Sequence, residues 1–235
     1  MKFTRPSRSA FSLVEILVVV AIIGIIASFA VPAADKMIRG TDVTRAAQMV
    51  NDAFTTARQT AIARNKQIEM RIIRFADPEL PGESVDDEST WKIRGFQLME
   101  VTSSGIPVQL APMQRLPGQM MMHDGKYSSL VDLNNTISTQ KALKFIKPTQ
   151  LDPPMPRVAT EKARKYTYAS FRFMPDGSTT LTMTGNWFLT VISAQDMVKL
   201  AAPSTDKDPI KTVNYFIIQV DPVNGSTRNF RPTLG

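Results

Sequence analysis

The chain has 235 residues, 43% of them hydrophobic and 21% charged, with a formal charge of +7, a single histidine and no cysteine. The missing thiols exclude disulfide staples, thiol catalysis and thiolate metal sites, so stability has to come from burial and sheet pairing. Once the three cations of the first ten residues are set aside, 25 basic residues face 21 acidic ones, a balance too even to point to polyanion binding by charge alone.

Met1 to Ala10 is a short leader with Lys2, Arg5 and Arg8 and no acid. Phe11 to Val31 follows as an apolar run of 21 residues whose single charge is Glu15. As a helix it measures about 30 Å, enough to cross a bilayer, whereas the core of a secretory signal is about 7 to 15 residues long. Length therefore argues against a signal peptide cleaved after Ala30 or Ala33, and an uncleaved anchor is the other alternative. An ionised carboxylate at mid-membrane depth costs roughly 2.5 to 3.5 kcal/mol, so Glu15 calls for a partner. The basic leader sits on the cytoplasmic side, which makes everything after Pro32 exported.

From residues 32 to 65 helical spacing continues with Val43, Ala46, Ala47, Val50, Phe54, Ala57 and Ala61, an amphipathic stripe of mostly small residues suited to close packing on a sheet. Gly40-Thr41-Asp42 is a candidate break or bend, because glycine weakens a helix by about 1 kcal/mol and Thr or Asp can cap a restart. Residues 66–235 read as a sheet domain. Lys66 to Phe75 places Ile68, Met70 and Ile72 on one side of a first strand. Residues 76–90 carry six acids and no base, a solvated loop; a calcium site at Asp86, Asp87 and Glu88 lacks the ligand alternation and turn glycine of a known calcium loop.

Trp91 to Val101 is the next strand, and Ile106 to Leu116 with Gln119 to His123 suggest a strand pair around Pro117-Gly118. Residues 124–165 read as loop, with a short strand or helix near Ala142 to Ile146. Tyr166 to Met174 and Thr179 to Thr184 flank Asp176-Gly177 as a hairpin signal. Asn186 to Ser193, Val213 to Val220 and Ser226 to Arg231 add strands, the last two joined at Asn224-Gly225. Ala194 to Asp208 reads as a helical turn and a surface loop. The fold class is α+β, a long amino-terminal helix, transmembrane in its first half, packed on a carboxyl-terminal antiparallel β-sheet domain.

The segment Ser9-Ala10-Phe11-Ser12-Leu13-Val14-Glu15 resembles the type IV prepilin cleavage and methylation site. In such sites a membrane peptidase cuts before a Phe and the Glu lies fifth in the mature chain. Gly24 and Pro32, fourteenth and twenty-second from Phe11, resemble the helix-weakening pair of pilin helices. Ala10 departs from the usual Gly before the cut. The later Phe171-Arg172-Phe173-Met174-Pro175-Asp176-Gly177 and Asp221-Pro222-Val223-Asn224-Gly225-Ser226-Thr227-Arg228 resemble two motifs of the H-type minor pseudopilins of type II secretion. Length and the Pro-rich middle are also similar to the cassette D family of prepilin-motif proteins known as Verru_Chthon.

This resemblance implies processing at Ala10 and Phe11, methylation of the Phe11 amine, and an assembly role for Glu15, Gly24 and Pro32. It implies a pilin-like fold held in the bacterial inner membrane by one span, leader cytoplasmic, and then in a filament. The implied partners are a prepilin peptidase, other pilin or pseudopilin subunits, and an inner-membrane assembly platform with its ATPase. No cofactor or metal is called for.

Catalysis finds little support. His123 is the lone histidine and follows three methionines, the setting of a strand-edge residue rather than a base, and neither a serine elbow nor a phosphate-cradling loop is present. The chain does not read as an enzyme. Lys141, Lys144, Lys147, Arg157, Lys162, Arg164, Lys165 and Arg172, with Phe145, Tyr166 and Tyr168 among them, form a basic stretch that could track a nucleic-acid backbone. Arg228 and Arg231 resemble the basic carboxyl-terminal residues of some DNA-uptake pilins. The alternative function is thus a membrane-anchored module binding DNA or an acidic polymer. The favoured reading of the basic stretch is a solvated loop or a surface facing acidic neighbours, for which residues 76–90 offer a match, and nucleic acid is not an expected partner.

Overall fold

The computed structural model describes residues 12–133, 142–156, 162–201 and 213–231, with backbone alone for 29–39 and 201. The leader and Phe11 lie outside the described residues. The chain divides into two units, Met1–Thr41 and Asp42–Gly235.

The first unit holds the start of α1 (Leu13–Arg64). Its side chains from Leu13 to Ile26 are bare: Leu13 is 82% exposed and Ile25 and Ile26 are each 61% exposed. Bare aliphatic surface of this extent is stable only against lipid or another chain, since burying each such side chain is worth about 1.5 to 3 kcal/mol. Among the described residues no helix is long and apolar enough to cross a membrane, the described side chains of the apolar run ending at Ser28.

Gly40-Thr41-Asp42, the candidate break, stays helical. The reason lies one residue on, where Val43, Ala46, Ala47 and Val50 are fully buried and offset the cost of one glycine. At the other end Asn65 adopts φ 51°, its N–H donates to the Ile62 carbonyl, and the Lys66 N–H reaches back to the Ala61 carbonyl at 3.2 Å. That pair of bonds is a Schellman stop, with asparagine in the left-handed position usually taken by glycine.

In the second unit the strands are β1 (Ile68–Phe75), β2 (Lys92–Val101), β3 (Pro107–Gln109), β4 (Gln114–Arg115), β5 (Met120–Met122), β6 (Thr167–Phe173), β7 (Trp187–Ser193), β8 (Tyr215–Val220) and β9 (Thr227–Phe230). They form one antiparallel sheet ordered β6-β1-β2-β5-β7-β8-β9. Strands β3 and β4 both pair with β2, and β5 bridges β2 to β7, so the expected hairpin between 106–116 and 119–123 does not form. The residues Met120–Met122 are too apolar to lie at the edge beside β3 and are buried in the middle of the sheet instead. The hairpin expected after β6 is likewise reduced to a turn: Thr179 makes one bridge to Phe173 and then hands its N–H to Pro222.

One face of the sheet packs on α1. Ile68, Met70 and Ile72 of β1 share one buried core with Val50, Phe54 and Ala57 of the helix, as their alternation predicts. A bulge at Arg94-Gly95 changes the phase of β2 so that Ile93, Phe96 and Leu98 all join this core. Gly95 lets the bulge pack closely, because an added Cβ would lie 3.0 Å from the Phe75 ring and 3.2 Å from the end of the Met113 side chain, which would have to give way. Phe54 meets Phe171 and Phe173 with ring centroids 5.8 and 6.4 Å apart, so the Phe-x-Phe pair of β6 is the aromatic seat of the helix.

The other face is covered too. Helix α2 (Ala194–Ala201) starts on Ser193 as its N-cap, the Asp196 N–H donating to Ser193 Oγ and that hydroxyl donating in turn to the Asp196 carboxylate. Its Met197 and Leu200 pack on Met121, Ile192 and Tyr215. Residues 124–133 are loop, as expected, but lie along the edge of β7 with Leu130 and Val131 in the core against α1: Thr190 N–H donates to Ser128 Oγ at 2.9 Å, and Phe188 N–H to Ser129 Oγ at 2.9 Å. Ser128 and Ser129 thus stand in for a strand's carbonyls, and no hydrophobic period announces such pairing.

Candidate assembly segment and charged surface

Glu15 sits on the first turn of α1, where Ser12 is the cap. The Ser12 N–H donates to Glu15 Oε2 at 2.8 Å and the Glu15 N–H donates to Ser12 Oγ at 3.2 Å, a reciprocal capping box. The carboxylate therefore has a partner within its own chain, at the end of the helix where the macrodipole favours negative charge. The spacing Ser-x-x-Glu is the sequence signature of this device and could have been read from the sequence alone. Further along, a Cβ added at Gly24 would meet nothing within 4 Å, so nothing described in this chain demands a glycine there. Pro32 continues the helical backbone, and Ala10 and Phe11 lie outside the described residues.

The acidic loop and the basic stretch find each other. Lys165 pairs with Asp86, Lys162 Nζ lies 3.6 Å from the same carboxylate, and Lys147 Nζ lies 2.7 Å from Glu88 Oε1. These lysines hold the exposed Asp86 carboxyl below its usual range, the Lys165 hydrogen bond foremost. Arg164 turns its guanidinium to backbone, with NH2 donating to the Gln150 carbonyl at 2.8 Å. Asp87 caps the short turn at Ser89, and its carboxyl is lowered by the Ser89 hydroxyl and N–H. All three acids of the calcium alternative are therefore turned to lysines or to a turn.

Beneath this exposed layer lie buried charges. Arg71, 1% exposed, donates from Nε to Glu69 at 2.7 Å and from NH1 to Asp152 at 2.6 Å, and its guanidinium lies 4.1 Å from the Tyr168 ring centroid. Arg172 reaches Glu69 and Gln67 from the same side. Arg94 is equally buried and pairs with Glu83, while Asp77 takes Arg115. Tyr166 donates its hydroxyl to the Pro153 carbonyl, and burial pushes that phenol up to about 12. Glu69, Arg71, Arg94 and Arg172 occupy strand positions whose neighbours alternate apolar, the pattern of a solvent-facing row, and residues 76–91, 147–156 and 162–165 lie over them.

His123 is buried, and its Nδ1 accepts the Gly125 N–H at 2.9 Å, which places the imidazole proton on Nε2. Its ring stands edge-on to Tyr127 at 5.1 Å. Among the described residues no group of three His, Asp or Glu side chains is placed to hold a metal ion. Arg228 and Arg231 are exposed, at and just beyond the last strand, and lie in a separate stretch of chain from Lys162, Arg164 and Lys165.

Residues 5–31 match the family model described as the prokaryotic N-terminal methylation motif. Two proteins of Pseudomonas aeruginosa, each named "Fimbrial protein", are 42% identical over 62 residues, which is 26% of this chain. The match spans 40% of the length of those relatives. Two solved structures of the minor pseudopilin EpsH from the type 2 secretion system of Vibrio cholerae are similar at 11% identity, with TM-scores of 0.39 and 0.38. Each similarity covers 82% of this chain, and 98% and 95% of the respective EpsH chains.

Proposed function

We propose that this chain is a minor pilin or pseudopilin subunit, made as a precursor, cut after Ala10, and drawn from the inner membrane into a type IV pilus-like or type II secretion filament. The observation that carries the reading is the methylation-motif match over residues 5–31, joined to a helix that runs from Glu15 to the core residue Ala61 of the sheet domain. An apolar front half with bare aliphatic side chains is suited first to lipid and then to a bundle of like helices.

In this reading a prepilin peptidase frees the Phe11 amine, which is then methylated. The apolar helix waits in the bilayer as a single span with the sheet domain outside, until an assembly platform and its ATPase extract it. Glu15 exchanges its own Ser12 cap for the Phe11 amine of an adjacent subunit, an ion pair that fixes register because an unpaired carboxylate among apolar helices is costly. Gly24 and Pro32 let the helix loosen locally during packing.

The competing reading, a membrane-held binder of DNA, loses support from the internal pairing of Lys147, Lys162 and Lys165 with Asp86 and Glu88. The deciding experiment is the mass of the amino-terminal peptide from membranes of cells with a matching prepilin peptidase. A peptide starting at Phe11 is the expected result. An intact leader would identify a plain anchor, and a start at Val31 or Ala34 a secreted protein.

A further inference from the structure

We propose that the face formed by Lys147, Lys162 and Lys165 is a docking site for an acidic peptide with carboxylates two residues apart, occupied in the isolated subunit by the chain's own Asp86 and Glu88. The present occupant defines the chemistry. Asp86 faces Lys162 and Lys165, and Glu88, two residues on, faces Lys147.

The pairs are displaceable. Asp86 and Glu88 side chains are 63% and 49% exposed and the three lysines between 42% and 73%, and ion pairs in such surroundings change an equilibrium by no more than about fivefold each. The loop backbone does not depend on them. Arg74 donates to the carbonyls of Glu88 and Trp91, the Trp91 indole donates to the Ser84 carbonyl at 3.0 Å, and Glu83 is held by the buried Arg94. The two carboxylates can therefore swing into solvent while the loop stays in place.

Between loop and lysines lies a cleft of about 340 Å³ lined by Trp91, Pro148, Arg164 and Tyr166 among others, room for a peptide side chain. Phosphate is the poorer fit. Arg164 is the guanidinium in the cleft, and its Nε and NH2 already donate to the Gln150 and Asp152 carbonyls, so the charge offered to a ligand comes chiefly from point-charge ammonium groups. The proposal holds whether the subunit joins a filament or stays a membrane-held module, so its failure would leave the filament reading untouched.

The test uses the full chain in detergent micelles at low salt, a fluorescent Glu-Gly-Glu-Gly-Glu-Gly peptide, and inorganic polyphosphate as the rival probe. The Asp86→Asn/Glu88→Gln variant should bind the peptide about fivefold or more tighter than the wild type. Adding Lys162→Gln/Lys165→Gln should remove that gain. Equal peptide binding by wild type and double variant, binding that survives loss of the lysines, or tighter binding of polyphosphate than of peptide would each overturn the proposal. Should the double variant melt early, Glu88→Gln alone, whose carboxylate pairs with Lys147, carries the same comparison with a smaller gain.

Discussion

Single residues carry unusual electrostatic responsibility in this chain. Arg71 is shut away with Glu69 and Asp152, so truncating it leaves the buried Asp152 carboxylate without its cation and Glu69 with only the half-exposed Arg172. Arg71→Ala should lower stability by about 3 to 5 kcal/mol, seen as a shift of the urea midpoint with unchanged slope. His123 responds to pH. Burial, with a smaller push from Lys126, holds its pKa below the ordinary value against the pull of Asp124 and Asp132. A histidine depressed in the folded state is protonated first in the unfolded chain. Its contribution is therefore complete above about pH 6.5 and lost as pH falls from there toward the folded pKa. Between pH 6.5 and 5 the wild type should lose stability faster than His123→Gln; identical slopes would remove the imidazole from the account. Neither response was visible in the sequence, because burial of a charged row depends on loops that hydrophobic period does not report.

At the scale of elements, what was legible followed period and punctuation. The stripe Val43 to Ala61, the alternation of Ile68, Met70 and Ile72, and the strands ending the chain formed as their spacing predicts, since each buries one clean face. Partnering was less legible than existence. Strand β5 went to β2 and β7, and Thr179 went to Pro222, because pairing is settled by which edges the packed helix leaves open. The two glycine turns show how. Gly177 and Gly225 meet over Arg58, whose Nε donates to the Asn224 carbonyl at 2.6 Å, although their strands β6 and β9 are the opposite ends of the sheet. The sheet thus curls around the helix until its two ends touch, and Thr227 reaches Asn51 of α1 from the far edge. A Cβ at Gly225 would lie 2.4 Å from the Gly177 carbonyl, on a backbone at φ 65°. Gly225→Ala should therefore push the turns apart and cost about 1 to 3 kcal/mol, measured by thermal melting. Gly82→Ala, likewise at a positive φ of 83° but with nothing within 4 Å of an added Cβ, controls for the backbone strain alone.

The whole molecule joins two demands in one helix. Its second half is fixed to a sheet through small residues and Phe54, and its first half exposes aliphatic side chains that its own chain leaves bare. Under the filament reading Glu15 has two partners at different times: the Ser12 cap in the waiting subunit and a neighbour's amine in the assembled one. The cap keeps the carboxylate hydrogen-bonded at low cost near the start of the span, and the weaker the cap, the more the carboxylate gains by moving to an amine. Glu15→Ala removes both partners. It should leave membrane insertion intact, since loss of a charge only eases entry into lipid, while lowering the amount of subunit recovered in sheared filaments. Ser12→Ala keeps the carboxylate and removes a cap worth about 0.5 to 2 kcal/mol, so membrane level and filament recovery should both stay near wild type. Quantifying the two variants in membrane and filament fractions separates the roles. Normal filament recovery of Glu15→Ala would reduce the carboxylate to a helix cap, and equal loss in both variants would place the effect in the first turn's stability rather than in pairing between subunits.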